Sequence, residues 1–216
     1  MTAPRGSGAI PKARTWRSGE PVEPLRALLA RGGLLAFPTE SSYALGADPR
    51  NPAGVAAVYR IKGRDESKAL PVVAANLEQL FDLGIDPALP ILSRLAAVWP
   101  AALTAVLPLA PRIPASGGGA TLAVRIPDHA ELRALLAAVG PLTATSANRA
   151  GEPPIPDAAR AALWLAGEAE VAVIEGRAGG GPPSTLVACD GAAVRVLRAG
   201  PVALSRLTDV PDEGDA

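Results

Sequence analysis

Residues 34–68 read LLAFPTESSYALGADPRNPAGVAAVYRIKGRDESK, and the fold is decided by how this stretch changes character along its length. It begins as an apolar run of strand length that stops at Pro38. The hydroxyl-rich turn Thr39-Glu40-Ser41-Ser42-Tyr43 follows at the end of the expected strand. In open α/β sheets, ligands bind at such strand ends. Asn51-Pro52 then offers a cap with proline at the first helical position, which predicts a helix to about Ile61. Just beyond it, Lys62, Arg64 and Lys68 supply positive charge opposed nearby only by Asp65 and Glu66. Hydroxyls facing clustered cations suggest a phosphate-bearing ligand.

Outward from this stretch, helix and strand signals alternate. A helix is predicted over 23–30, stopped by Gly32-Gly33, and another over 91–98, stopped by Trp99-Pro100. Asn76 caps a short helix, Asp128 a helix over 130–138, and Asp157 a helix to about Leu165. Apolar runs predict strands over 34–37, 69–75, 103–107, 121–126, 142–145, 171–174, 184–187 and 193–197. This alternation predicts the α/β class, with a single domain built on a twisted, mostly mixed sheet flanked by helices. No internal repeat or second core is evident. The domain is expected over 21–208, between a flexible N-terminal arm over 1–20 and a flexible tail over 209–216.

Composition narrows the function classes. Hydrophobic residues make up 49% of the 216 and aromatics only 3%, so the core must be built from Ala, Val, Leu and Ile. The 21 basic and 21 acidic side chains cancel, which argues against a nonspecific grip on nucleic acid, so any basic site must be local. Cys189 is the only cysteine and His129 the only histidine, which removes an intramolecular disulfide and the usual zinc sites. His129, after Pro127-Asp128, reads as a helix start rather than a catalytic base. There is neither a GxxxxGK[ST] nor a GxGxxG between strand and helix, so a P-loop or dinucleotide fold is not expected. No apolar run approaches the roughly 20 residues of a membrane span, and a cytoplasmic protein with no membrane partner is expected.

Five segments place polar groups at strand ends: Pro38 to Tyr43, Lys62-Gly63-Arg64 with Lys68, Thr121 to Arg125, Thr145-Ser146-Ala147-Asn148, and Gly179 to Thr185 paired with Arg198-Ala199-Gly200. Each has an ordinary reading when taken singly. Cations at a helix end interact with the dipole or solvent. A Ser-Ala-Asn after a strand is commonly a turn, and Thr39 or Tyr43 can satisfy local backbone. Five such segments in one chain favour a shared site.

In order, FPTESSYALG, KGR, LAVRIPDH, TATSANRAGEPP, PPSTLV and VLRAGPV resemble the YrdC-like family of threonylcarbamoyl-AMP synthases over residues 33–202. The resemblance implies a deep positively charged cavity in which threonine, bicarbonate and ATP, with magnesium, give threonylcarbamoyl-AMP and pyrophosphate. That product feeds a downstream threonylcarbamoyl transferase of the t6A pathway, and contact with tRNA or double-stranded RNA is a further implied partner. By matched motif, the resemblance assigns Thr39, Tyr43, Arg125, Ala144 and Ser184 to threonine. It assigns Lys62, Lys68, Thr121, Ser146, Asn148 and Arg198 to the nucleotide, and Lys62 and Arg64 to transition-state charge, with no protein metal ligand. The chain departs from the family pattern at Asp65, at Ala101-Ala102, and at Ser42 and Ala44, the last pair shared with YciO-like paralogues. Such a paralogue, or an RNA-binding module of the same fold, is the alternative reading.

Overall fold

The structure, a computed structural model, describes residues 14–149, 151–168 and 170–208. Its first half contains β1 (Arg14–Trp16), α1 (Glu23–Ala30), β2 (Leu34–Pro38), β3 (Tyr43–Gly46), α2 (Pro52–Lys62), β4 (Val72–Val73), α3 (Leu77–Asp82), α4 (Leu92–Val98) and β5 (Leu103–Pro108). After a 3₁₀ turn at Pro114–Ser116 come β6 (Thr121–Arg125), α5 (Ala130–Val139), β7 (Leu142–Thr143), β8 (Thr145–Ser146), α6 (Ala158–Trp164), β9 (Val171–Ile174), β10 (Thr185–Asp190), β11 (Ala193–Arg198) and α7 (Ser205–Thr208). Helix α2 starts where Asn51 Oδ1 accepts from the N–H groups of Ala53 (3.0 Å) and Gly54 (3.1 Å). It ends at Gly63, whose φ of 58° suits a residue without a Cβ. The turn therefore follows Lys62 at once, and Arg64 leaves the helix axis.

The strands sort into two mixed sheets. The first has the order β1-β9-β2-β3-β8, with β1, β9 and β2 parallel and β3 antiparallel to both neighbours. The second runs β11-β10-β5-β6-β4-β7, with parallel pairs β10–β5 and β4–β6. Side-chain alternation explains why β2 is apolar throughout. Leu34 and Ala36 join Val171 and Val173 in one core with Val55 and Val58 of α2, while Leu35 and Phe37 join Ala172 and Ile174 under α1 and α5 in another. Burying each such aliphatic side chain contributes about 2 kcal/mol. In the second sheet Leu103, Ala105, Leu107, Leu122 and Val124 face the core. The opposite face carries Thr104, Ala123, Arg125 and Leu186, and it is this face that the site uses.

Several expectations change. One sheet becomes two, and one core becomes two clusters on either side of the first sheet, because β9 pairs with β2 and β8 with β3, whereas β10 joins β5 and β7 joins β4. The strand expected over 69–75 shortens to Val72–Val73. The one expected over 142–145 divides between the sheets at Ala144, whose N–H donates to Pro71 O at 2.7 Å. Tyr43–Gly46, expected as a turn, is a strand. His129, not Asp128, caps α5: its Nδ1 accepts from the Leu132 N–H at 3.2 Å. The flexible arm expected over 1–20 is corrected in its last part, since Arg14–Trp16 pairs with β9 and Trp16 is buried. Residues 1–13 and the expected tail over 209–216 lie outside the described residues.

Candidate functional site

Between the polar face of the second sheet and the β2–β3 turn lies a cavity of about 570 Å³, within the range of small-molecule sites. The turn supplies Thr39, Ser41 and Ser42, and β8 supplies Thr145 and Ser146. The sheet supplies Thr104, Ala123, Arg125 and Arg198, while Ser184 immediately precedes β10. Arg64 enters from the turn after α2. Three guanidinium groups thus line one hollow, and among the described residues no Asp or Glu lines it. Burial in this hollow lowers the Arg125 pKa; the Glu40 carboxylate raises it and the Arg198 cation lowers it further. Such a surface favours anionic ligands.

Hydrogen bonds fix how each lining group is presented. Arg198 donates from Nε and Nη2 to Ser184 O (3.1 and 2.9 Å) and from Nη2 to Ser184 Oγ (3.2 Å). Ser184 Oγ also lies 2.8 Å from Thr104 Oγ1, giving a buried hydroxyl pair beside a cation. Thr39 Oγ1 donates to Ser42 O at 2.8 Å and accepts from the N–H groups of Ser41 and Ser42, so it shapes the turn as well as lining the cavity. Arg64 donates to Ala69 O at 3.0 Å, and its Nε is buried with no hydrogen bond. The Gly179-Gly180-Gly181 segment closes one side, its three N–H groups donating to the carbonyls of Thr39, Ser41 and Glu40.

Of the residues singled out in the sequence, Thr39, Arg64, Arg125, Ala144, Ser146, Ser184 and Arg198 meet at this cavity. Lys62 and Asn148 lie behind its wall. Lys62 Nζ donates to Ser146 O (2.6 Å), Asn148 O (2.5 Å) and Asn148 Oδ1 (2.9 Å), which uses all three of its protons. Asn148 Oδ1 also accepts from Ser146 Oγ at 2.6 Å. Burial, and the neighbouring Arg64 cation, push the Lys62 pKa down to about 8, with Glu152 opposing. Tyr43 does not reach the cavity. It is fully buried, its hydroxyl is directed at Ile174 O (2.8 Å) and Gly176 O (2.9 Å), and burial pushes its pKa up. Lys68 and Thr121 are exposed and do not line the cavity. Exposed positions at a strand start and in a turn carry no pattern that fixes where the side chain points.

Sequence reasoning gave no role to Thr104 or Glu40, although Glu40 stands inside the opening turn. Strand alternation through Leu103, Ala105 and Leu107 was the available signal for Thr104, which that pattern puts on the opposite face.

Comparison with known proteins adds independent findings. The Sua5/YciO/YrdC family model, described as telomere recombination, matches residues 27–200. A protein of Thiobacillus denitrificans named threonylcarbamoyl-AMP synthase is 39% identical over 195 residues, covering 86% of this chain and 99% of that relative. The crystal structure of P. abyssi Sua5 complexed with L-threonine is 29% identical, with a TM-score of 0.78 over 91% of this chain. The chain spans 60% of that longer protein. The fold also matches E. coli YciO, at 20% identity and a TM-score of 0.71 over 92% of this chain and all of that one.

Proposed function

The chain belongs to the Sua5/YciO/YrdC family, and from that premise we propose that it is a threonylcarbamoyl-AMP synthase, a nucleotidyltransferase acting on L-threonine, bicarbonate and ATP. The observation that carries this reading is the meeting of Arg64, Arg125 and Arg198 with a rim of hydroxyls in one hollow lined, among the described residues, by no carboxylate. Threonine amine and bicarbonate condense to a carbamate with loss of water. A carbamate oxygen then attacks the α-phosphorus of ATP, the bond from that phosphorus to the bridging oxygen breaks, and pyrophosphate leaves. No nucleophilic side chain is needed. Positioning and charge supply the catalysis.

In this reading Arg125 clamps the threonine carboxylate through paired N–H groups. Arg64 and Arg198 offset the charge that grows on the nonbridging oxygens and on the leaving pyrophosphate. Ser146 and Ser184 contribute hydroxyls to the nucleotide and threonine respectively. Lys62 and Asn148 act one step back, holding Ser146 in place. Magnesium enters as part of the nucleotide substrate. Among the described residues no group of three His, Cys, Asp or Glu could hold a metal. The adenylate would pass to a threonylcarbamoyl transferase that modifies tRNA, and a cytoplasmic activity is part of the same proposal. No helix among the described residues is long and apolar enough to cross a membrane.

A crystal soaked with threonine and a nonhydrolysable ATP analogue tests the assignment. The threonine carboxylate is expected on Arg125 and the phosphates against Arg64 and Arg198. Ligands bound elsewhere, or a nucleotide alone with threonine excluded at saturation, would overturn it.

A further inference from the structure

Glu40 is a partly buried acid beside a cationic site, and nothing in the reaction proposed above gives it a task. Its side chain is 17% exposed and that of Arg125 10%. One carboxylate oxygen, Oε1, accepts from the Asp128 N–H at 2.8 Å. The other, Oε2, lies 3.4 Å from Arg125 Nη1, is shielded from solvent and has no hydrogen bond. Its main-chain carbonyl accepts from the Gly181 N–H at 3.0 Å. A single residue therefore connects the β2–β3 turn, the β6–α5 turn and the glycine segment at one end of the cavity.

A carboxylate oxygen shielded from solvent is costly unless paired, and the Arg125 guanidinium is the cation recorded against it among the described residues. Because Oε1 is tied to backbone, Oε2 is held in one place. Arg125 in turn lines the cavity while its Nη1 faces Glu40, so part of the fork is spent on the protein and the remainder is left for a ligand.

We propose that Glu40 is the positioning residue for Arg125, anchoring the guanidinium from behind so that its free N–H groups present a preformed clamp for the threonine carboxylate. The inference rests on the threonine reading of the site. It also explains why an acid is tolerated there: the anion sits behind the cation, away from the ligand, and the entropy cost of orienting a long side chain is met during folding rather than on binding.

The test is Glu40→Gln, which keeps the shape and can keep the Asp128 contact but puts an uncharged amide beside the guanidinium. In steady-state kinetics the KM for threonine is expected to rise about ten-fold, as for loss of a close charge pair shielded from solvent. The KM for ATP and kcat at saturating threonine should change little, while the melting temperature falls, because the buried Arg125 cation loses its partner. An unchanged threonine KM would overturn the proposal. So would a lower one, which would make Glu40 a competitor of the ligand rather than an anchor. Should Glu40→Gln fail to fold, Glu40→Asp, with its shorter reach, is expected to show a smaller rise in threonine KM, and an unchanged value there would also count against the proposal. Ligand-free NMR of the arginine side chains, with the Arg125 resonance assigned by its loss in Arg125→Lys, separates this inference from the function. Faster guanidinium rotation in Glu40→Gln supports the anchor and unchanged rotation refutes it, even if wild-type enzyme proves not to use threonine.

Discussion

Lys62 and Arg64 stand two residues apart, yet the structure gives them different work. Arg64 makes one hydrogen bond through its guanidinium and faces the cavity, whereas Lys62 has every ammonium proton committed to the segment that carries Ser146 and Asn148. Arg64→Ala should therefore cost about 3 kcal/mol of transition-state stabilisation, roughly a hundred-fold in turnover, with a small change in melting temperature. Lys62→Ala should lower both, with a stability loss of about 1–3 kcal/mol from acceptors left unpaired. Equal melting temperatures for the two variants would contradict this division. The Lys62 pKa offers a second check. With a value of about 8 in the folded chain against an ordinary 10.5, the unfolded chain holds the extra proton between those pH values. Stability contributed at this site then rises with pH across that window. NMR titration of the Lys62 side chain should show a midpoint near 8, and a higher one in Arg64→Ala, because removing a neighbouring cation relieves the repulsion. A midpoint at the ordinary value would contradict it.

Among the elements, the contact between β3 and β7 joins the two sheets and sets one wall of the cavity. The Thr143 N–H donates to Ala47 O, and the Ala47 N–H donates to Thr143 Oγ1. Gly46 sits at this junction, where an added Cβ would come within 2.0 Å of Thr143 O. Gly46→Ala is predicted to cost about 1–3 kcal/mol, a drop of several degrees in a thermal melt. An unchanged melt would show that the sheets are joined more loosely than described. This junction also marks the limit of what the sequence made legible. Helices with local caps at Asn51, Asn76 and Asp157 were readable, because each cap acts within three residues of itself. Short strands such as Val72–Val73 and Thr145–Ser146 were misjudged in length, since partners far away in the chain decide where pairing starts and stops. At Asp128-His129 two capping residues stood side by side, and the backbone turn chose the second.

For the whole molecule, the motif order announced a shared site, and seven of the residues singled out do line one hollow. What the order could not convey was depth. Tyr43, Lys62 and Asn148 carry the same chemistry on paper as Ser146 and Arg198, but burial behind the wall turns them into supports. Glu40 was passed over for the converse reason, since an acid in a cationic pattern reads as noise until its partner is seen. The account stands on two sheets bringing hydroxyl and guanidinium groups together to join three substrates. Pyrophosphate release by purified protein, measured with ATP, threonine and bicarbonate together and with each omitted in turn, tests that most directly. Release that requires all three and falls sharply in Arg64→Ala is predicted; ATP cleavage indifferent to threonine, or none beside an active control enzyme, would contradict it.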